Sequence, residues 1–364
     1  MDIEQRPIRA RVLDLARPEA VALEVDAAEA ADVLMSLFAI CSAADADESC
    51  TFDVGQARLT EIRAAVDPAL LAQVEDLMQG NEKIPAHLLG LVWETPKPRT
   101  LAALVEHIRA SDPREVHLHL LGYYTGHEHG IAQATANAAA AGDDAAIAAV
   151  VEALGEWPQV ARTAEHLLRL GAHEVTARLL DVLPRWYEEV YLPHSDGVAD
   201  ALARDAAAKA ELALTQTPEE LAEAATNGYR YSPGPGVRRI VFFPGHWQRP
   251  WVLMNEYRHV KVFCYPLPHE QSADGPSPAE LARLYKALGD EGRLRLLRRL
   301  AGGPMGLGEA AQELGVAKST AHHHLALLRQ AGFVVVRDSG DDKLYTLRRD
   351  LLPQAGALLQ AYLG

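Results

Sequence analysis

The clearest chemical pattern in the chain lies between positions 316 and 332, in the sequence V-A-K-S-T-A-H-H-H-L-A-L-L-R-Q-A-G. At helical spacing, Ala321, Leu325 and Leu328 form one apolar stripe. The opposite stripe carries small or hydrogen-bonding side chains, namely Ser319, His322, His323 and Ala326. Lys318 stands at the N-terminal end, where a cation opposes the helix dipole. One apolar face, one small polar face and this cation are typical of a recognition helix that enters a DNA groove.

The three consecutive histidines within this pattern could also suggest a metal site. Adjacent side chains on a helix point about 100° apart, so three in a row do not converge on one ion. We therefore predict that His322 and His323 contact DNA, whereas His324 lies on the flank of the apolar stripe.

A second group of histidines offers an alternative metal site in the first half of the chain. It comprises His117, His119, His127, Glu128 and His129. If residues 114–124 are helical, His117 and His119 diverge by about 200°, so at most one of them joins the later group. The sequence leaves open either a metal site of His117, His127, Glu128 and His129 or an exposed helix face followed by a turn.

Aromatic residues gather toward the end of the helical region and in the strands after it. Buried aromatic residues usually form core, but Trp and Tyr near a helix–sheet junction also line pockets for apolar or aromatic ligands. We predict an effector site for a small organic molecule formed by Trp157, Trp186, Tyr187, Tyr191, Tyr231 and Trp247. No other cofactor is predicted.

The elements that position these residues indicate a mainly α protein with a small amount of β structure. Ala-rich and capped helical patterns dominate up to about residue 215, and they predict an irregular helical domain. Apolar runs at 239–243, 250–254 and 259–265 predict a short antiparallel sheet that closes residues 1–265. The Pro-rich stretch 266–277 is a predicted linker.

Residues 278–364 show the order of a winged helix-turn-helix domain. Helical patterns at 278–288, 290–301 and 307–314 precede a turn at Gly315 and the helix at 317–331. Strands at 333–337 and 343–347 form a hairpin wing, and a last helix covers about 350–362. Residues 277–364 hold 12 Lys and Arg against 9 Asp and Glu, a net charge of +3. Because the whole chain has a net charge of −15, the residues before position 277 carry a net charge of −18. This asymmetry fits an acidic effector domain joined to a small DNA reader.

Two motifs in this region resemble the ArsR/SmtB-type bacterial regulators. The first is L-Y-K-A-L-G-D-E-G-R-L-R-L-L from Leu284, and the second is S-T-A-H-H-H-L-A-L-L-R-Q-A-G-F-V from Ser319. The resemblance implies a homodimer, paired through the first and last helices of the winged domain, that reads a near-palindromic operator in double-stranded DNA. It assigns base or phosphate contacts to Lys318, Ser319, Thr320, His322 and His323, and backbone contacts to Arg337 and Lys343 in the wing. We also expect Arg329, two turns after His322, to contact a phosphate.

The sequence departs from the family's metal sensors. Gly306-Leu-Gly-Glu-Ala310 replaces their Cys-x-Cys pair, and no histidine follows His324. Ala317 replaces the usual Ser cap of the recognition helix. The resemblance therefore gives this sequence neither of the family's two metal sites, the Cys-x-Cys site before the turn and the Asp and His site on the last helix.

Taken together, the residues predict a sequence-specific transcriptional regulator, expected to be a repressor, that is controlled by an effector bound in residues 1–265. No catalytic motif such as GxSxG, HExxH or a Walker loop occurs, so no enzymatic activity is predicted. Two alternatives remain, a regulator that responds to metal and a regulator whose front domain, residues 1–265, binds a protein partner. Without a signal peptide, a membrane segment or a cysteine framework, the expected location is the cytoplasm.

Overall fold

The computed structural model describes residues 21–42, 52–81, 83–123, 131–234, 236–268, 278–338 and 343–363. In these ranges no helix has both the length and the apolar character needed to cross a membrane.

Helices make up most of the front part of the chain, as the sequence predicts. Helices α1 to α13 cover Glu29–Ser42, Gln56–Ala65, Pro68–Met78, Ile84–His87, Leu89–Glu94, Leu101–Ala110, Pro113–Leu120, Gln133–Ala140, Asp144–Ala153, Pro158–Leu170, Ala172–Trp186, Val198–Leu212 and Pro218–Thr226. Capping residues set several of the starts. Asp67, Asp112 and Thr217 each accept a bond from a first-turn amide and are each followed by proline at the first helical position.

The end of α11 changes its winding, which turns two tyrosines toward α1. Pro184 lies inside this helix, where it removes a backbone donor. The chain continues as a π-helical segment, Tyr187–Tyr191, and a 3₁₀ turn, Leu192–His194. Tyr187 and Tyr191 lie four residues apart with stacked rings, their centroids 5.6 Å apart.

The front sheet is mostly parallel, so the predicted antiparallel pairing is wrong for its centre. Strands β1 to β5 cover Ala22–Val25, Tyr229–Tyr231, Arg239–Gly245, Leu253–Tyr257 and Val260–Pro266. The order is β1-β3-β5-β4, and only the β4–β5 pair is antiparallel. Strands β3 and β5 are almost continuously buried, which is typical of parallel strands covered on both faces. Their unbroken apolar runs therefore carried the signal of a parallel sheet.

The C-terminal part has the predicted winged helix-turn-helix order. Its elements are α14 Pro278–Leu288, α15 Glu291–Ala301, β6 Met305–Gly306, α16 Leu307–Leu314, α17 Lys318–Gln330, β7 Val334–Asp338, β8 Lys343–Leu347 and α18 Leu351–Leu363. The turn between α16 and α17 passes through Gly315 at a φ of 71°, a conformation that favours glycine.

Strand β2 connects the front sheet to the wing. It pairs in parallel with β7, which makes the second sheet β2-β7-β8-β6. Its tyrosine rings face Phe263 of β5, with centroid distances of 6.2 Å for Tyr229 and 5.5 Å for Tyr231. One hydrophobic core therefore includes residues of β2, of the front sheet and of the winged domain. Most of the predicted linker lies outside the described residues, and the boundary at 266–277 stays a prediction.

Candidate functional site

Helix α17 separates buried and exposed side chains as its sequence pattern predicts. Ala321, Leu325 and Leu328 are fully buried. The exposed residues on the other side include Lys318, Thr320 and His322, and His323 is half-buried. The side chain of Ser319 lies outside the described part. The apolar stripe therefore anchors the helix, and the opposite side exposes Lys318, Thr320 and His322.

The N-terminal end of α17 has no side-chain cap, as the Ala317 replacement implies. Ala317 is the N-cap residue, and its side chain makes no cap hydrogen bond to the first-turn amides. Amides at a helix N-terminus attract anions such as phosphate. Exposed Lys318 places a positive charge at the same end.

Comparisons with known proteins match this part of the chain. A helix-turn-helix domain family matches residues 288–337. The uncharacterized HTH-type transcriptional regulator YceK of Bacillus subtilis is 37% identical over 71 residues, which cover 19% of this chain and 71% of YceK. The HTH-type transcriptional regulator CmtR of Mycobacterium tuberculosis is 39% identical over 85 residues, covering 23% of this chain and 72% of CmtR. The chain belongs to the ArsR/SmtB family of helix-turn-helix transcriptional regulators.

The family relationship rests on the winged domain alone. The transcriptional repressor SdpR of Bacillus subtilis matches a stretch of similar length, with 32% identity over 69 residues that cover 19% of this chain and 77% of SdpR. No solved structure matches the chain. The relatives show that this regulator binds DNA, and they leave the role of its front domain to be argued from structure.

The wing presents the two cations that the sequence assigns to it. Arg337 is exposed, and Lys343 has 55% of its side chain exposed, with Nζ 3.5 Å from Oδ2 of Asp338. Although His322 is exposed, desolvation and then the positive charges of Lys343 and Arg329 lower the pKa of its imidazole. A neutral imidazole offers one donor and one acceptor to a DNA groove. The DNA contacts of these residues stay predictions.

The position of Arg329 corrects its predicted phosphate contact. This residue is buried, and its Nη1 donates to the carbonyl oxygen of Thr226 at 3.3 Å. Thr226 is the last residue of α13, whose terminal carbonyls have no partners within the helix. The guanidinium therefore caps α13 from inside the protein, because the last turn of α17 faces this helix and not the DNA side.

His324 lies on the flank of the recognition helix, as predicted. Its Nδ1 is 3.6 Å from Oδ1 of Asp290, the N-cap residue of α15. This contact places His324 between α17 and α15, which leaves His322 and His323 as the histidines on the polar side.

Four of the six predicted ligand-binding aromatic residues converge on helix α1, but as core. Trp186 Nε1 donates to Ser36, Tyr187 to Glu29 at 2.8 Å, and Tyr191 to Asp32 at 2.9 Å. The backbone amide of Trp247 lies 3.4 Å from the same Asp32. Trp186, Tyr191 and Trp247 are almost completely buried. The predicted pocket wall is thus corrected for Trp186, Tyr187 and Tyr191, because side chains on α1 already bond their polar groups. The indole Nε1 of Trp247 is buried without a hydrogen-bond partner among the described residues.

The other two aromatic residues of that set lie elsewhere. Trp157 precedes α10 and is 40% exposed, whereas Tyr231 is buried between β5 and the winged domain. The set does not surround one cavity.

The polar residues on α1 are what the sequence reasoning missed. Asp32 is completely buried, and burial raises the pKa of its carboxyl to about 6 despite bonds from the His246 amide and Tyr191. Asp32 and Ser36 interrupt the apolar run A-A-D-V-L-M-S-L-F-A-I. Polar residues within such a run predict buried, hydrogen-bonded positions, and this signal identifies both.

The histidines that the sequence offers as a metal site do not form one group in the described part of the chain. His117 is fully buried, and this desolvation lowers its pKa to about 4. His119 is also buried, 3.5 Å from Glu94. His127, Glu128 and His129 lie outside the described residues. Among the residues that are described, no group of three or more His, Cys, Asp or Glu side chains could hold a metal ion.

Proposed function

We propose that this regulator is a homodimeric repressor whose operator binding is controlled by a small organic effector in residues 1–265. The similarity to a protein named a transcriptional repressor supports the repressor assignment. The acidic front part, which covers most of the chain and has no counterpart in the matched relatives, supports a separate sensing role.

Exposed apolar residues on the first and last helices of the winged domain support the homodimer. Tyr285 on α14 and Leu352, Tyr362 and Leu363 on α18 are exposed, the last of them at 73%. Tyr285 Oη donates to the Ala355 carbonyl, which holds the two helices side by side. Exposed apolar side chains on two adjacent helices are the kind of surface that a protein–protein interface covers.

The observation that carries the effector role is the pairing of β2 with wing strand β7. The Val336 amide donates to the Gly228 carbonyl at 2.8 Å, and the Ser232 amide donates to the Asp338 carbonyl at 2.9 Å. A second link joins the front part to α14, because Arg283 Nη1 lies 2.7 Å from Asp53 Oδ2. A shift in the front sheet would therefore move both the wing and a predicted dimer helix. An effector acts in this way when it binds one arrangement better than the other.

Selection of bound sequences from a random duplex pool, using the full chain, tests this proposal. We expect a site with two symmetric half-sites, bound by two chains, and release or tightening of that complex by a small-molecule extract. Binding of one chain to an asymmetric site would contradict the homodimer. Failure of every small-molecule extract, together with a response to a purified basic protein, would replace the effector with a protein partner of the acidic front domain.

A further inference from the structure

A cavity of about 730 Å³ lies in the front part, on a side where none of the predicted ligand residues is found. Its lining includes Glu24, Glu94, His107, Arg239 and Arg258, with Trp93 and Tyr257 among them. Strand β1, helices α5 and α6, the start of β3 and the end of β4 with its turn to β5 contribute these residues. The volume lies in the range of about 300–1,000 Å³ that is typical of small-molecule sites.

Most charges around this cavity are already paired. Glu24 lies 2.8 Å from Arg99 and 3.0 Å from Arg239. Glu115 lies 3.4 Å from Arg258. These pairs neutralise one another, so they give the cavity little net preference for either sign of charge.

Glu94 is the exception among the described residues, since it forms no ion pair with a lysine or arginine there. Tyr257 donates to its Oε1 at 2.7 Å, and His119 Nε2 lies 3.5 Å from its Oε2. Burial opposes ionisation, but the bonds from His119 and Tyr257, together with the nearby charge of Arg258, hold the pKa of Glu94 below its usual value. Burial lowers the pKa of His119, which favours the neutral form of its ring. Glu94 is therefore an anion whose hydrogen-bond partners are a tyrosine and a histidine, and its side chain is 27% exposed beside the cavity.

Two further groups at the cavity suit a ligand cation. His107 Nε2 is buried and has no hydrogen-bond partner among the described residues. An unpartnered buried nitrogen is costly unless a ligand or water bonds it. Trp93 offers an indole ring, whose face attracts cations. The front part carries a net charge of −18, which raises the local concentration of cations.

We propose that this cavity binds a small organic amine, with Glu94 as the counter-ion of its ammonium group, His107 as a second polar contact and Trp93 beside it. The proposal rests on the proposed function in one respect, because the amine would be the effector. The connection to the wing is short. Arg238 donates its amide to the His259 carbonyl in the β4–β5 turn at 2.8 Å, and β2 ends seven residues before Arg238.

Thermal unfolding and calorimetric titration of the full chain test the site without DNA. The probes are phenethylamine and tryptamine, compared with the matched alcohols phenethyl alcohol and tryptophol and the matched acids phenylacetate and indoleacetate. At least one amine should bind and raise the unfolding temperature, whereas its alcohol and acid should not. Absence of binding by both amines, or equal binding of an amine and its alcohol, overturns the proposal.

Variants assign the site to Glu94. Glu94→Gln keeps the side-chain shape and should weaken amine binding about tenfold to hundredfold, as expected for loss of a charged hydrogen bond. Glu106→Gln is the matched control, because Glu106 is exposed on α6 and pairs with Arg109. Equal effects of the two variants contradict the site. If Glu94→Gln does not fold by circular dichroism, His107→Gln replaces it and should weaken binding measurably; unchanged binding contradicts the site.

Operator binding separates the two proposals. An amine that binds through Glu94 and shifts the operator affinity of the full chain supports both the site and its effector role. An amine that binds through Glu94 without any shift supports the site and contradicts its role as the effector.

Discussion

Tyr229 donates its phenolic hydrogen to the carboxylate of Asp338, so a residue of the front part holds the end of the wing strand β7. Both side chains are buried. Burial, with the nearby carboxylate, raises the pKa of Tyr229, and the tyrosine remains a donor at any physiological pH. The wing is therefore bonded to a strand in which Tyr229 lies 107 positions before Val336, its register partner in β7.

Replacement of Tyr229 by Phe should weaken this junction without creating a cavity. A hydrogen bond to a charged group contributes about 1.5–3 kcal/mol, so the free energy of unfolding should fall by about that amount. Urea unfolding of the full chain measures the change. Tyr362→Phe is the control, because Tyr362 is largely exposed; equal stabilities of the two variants would show that the Tyr229 bond contributes nothing.

The recognition helix makes a prediction about base discrimination. His323→Ala should reduce the preference for the selected operator over single-base variants by about 1–3 kcal/mol at the base pairs it contacts. His324→Ala should leave that preference intact, because His324 pairs with Asp290. Binding to a panel of substituted operators measures both. If His323→Ala had the same relative affinities for the substituted operators as the unsubstituted chain, this histidine would not contact bases in the groove.

Salt dependence should distinguish the two basic residues near the recognition helix. Lys343→Ala removes an exposed wing cation and should lower the slope of log affinity against log salt by about 0.9. Arg329→Met should leave the slope unchanged, because Arg329 bonds Thr226 inside the protein. Titrations at several salt concentrations give the slopes, and a smaller slope for Arg329→Met would restore its predicted phosphate contact.

Asp32 should give the front domain a measurable pH dependence. Its folded-state pKa of about 6 exceeds its ordinary value of 3.8, so the folded protein binds this proton more tightly than the unfolded chain does. Its contribution to stability is full below pH 4 and is lost as the pH rises to 6, by about 3 kcal/mol at about 1.4 kcal/mol per pKa unit. Asp32→Asn should remove this slope in urea unfolding between pH 4 and pH 7. The exposed Asp200→Asn should retain it, and a persistent slope in Asp32→Asn would assign the effect to another group.

The sequence predicts the winged domain closely because its signals are local. Ala321, Leu325 and Leu328 mark the buried face of α17, and Gly315 marks the turn before it. The predicted helices and strands of this domain agree with the structure to within one or two residues. Each depends on apolar periodicity, a cap or a turn residue that lies within the element itself.

The sites in the front part depend on contacts between distant positions, and local patterns do not specify them. The three residues of β2 give no indication that they pair with residues 336–338. Four of the six aromatic residues lie close together, and the side chains that bond three of them, Ser36, Glu29 and Asp32, are 150, 158 and 159 positions earlier in the chain. Glu94 ends α5 and His107 lies in α6, and only the fold places them beside the same cavity.

The central claim is that β2 couples the front part to the DNA-reading wing, and Gly228 offers the most direct test. Its φ of 116° favours glycine, and an added Cβ would lie 3.3 Å from the Val334 carbonyl. Gly228→Val should therefore displace β2 from β7. The matched control is Gly234→Val, where an added Cβ meets nothing within 4 Å.

The deciding measurement is the operator affinity of the two full-length variants at one salt concentration. We predict a loss of at least about tenfold for Gly228→Val, equivalent to about 1.4 kcal/mol, and no loss for Gly234→Val. Equal affinities for Gly228→Val and the unsubstituted chain would contradict the coupling.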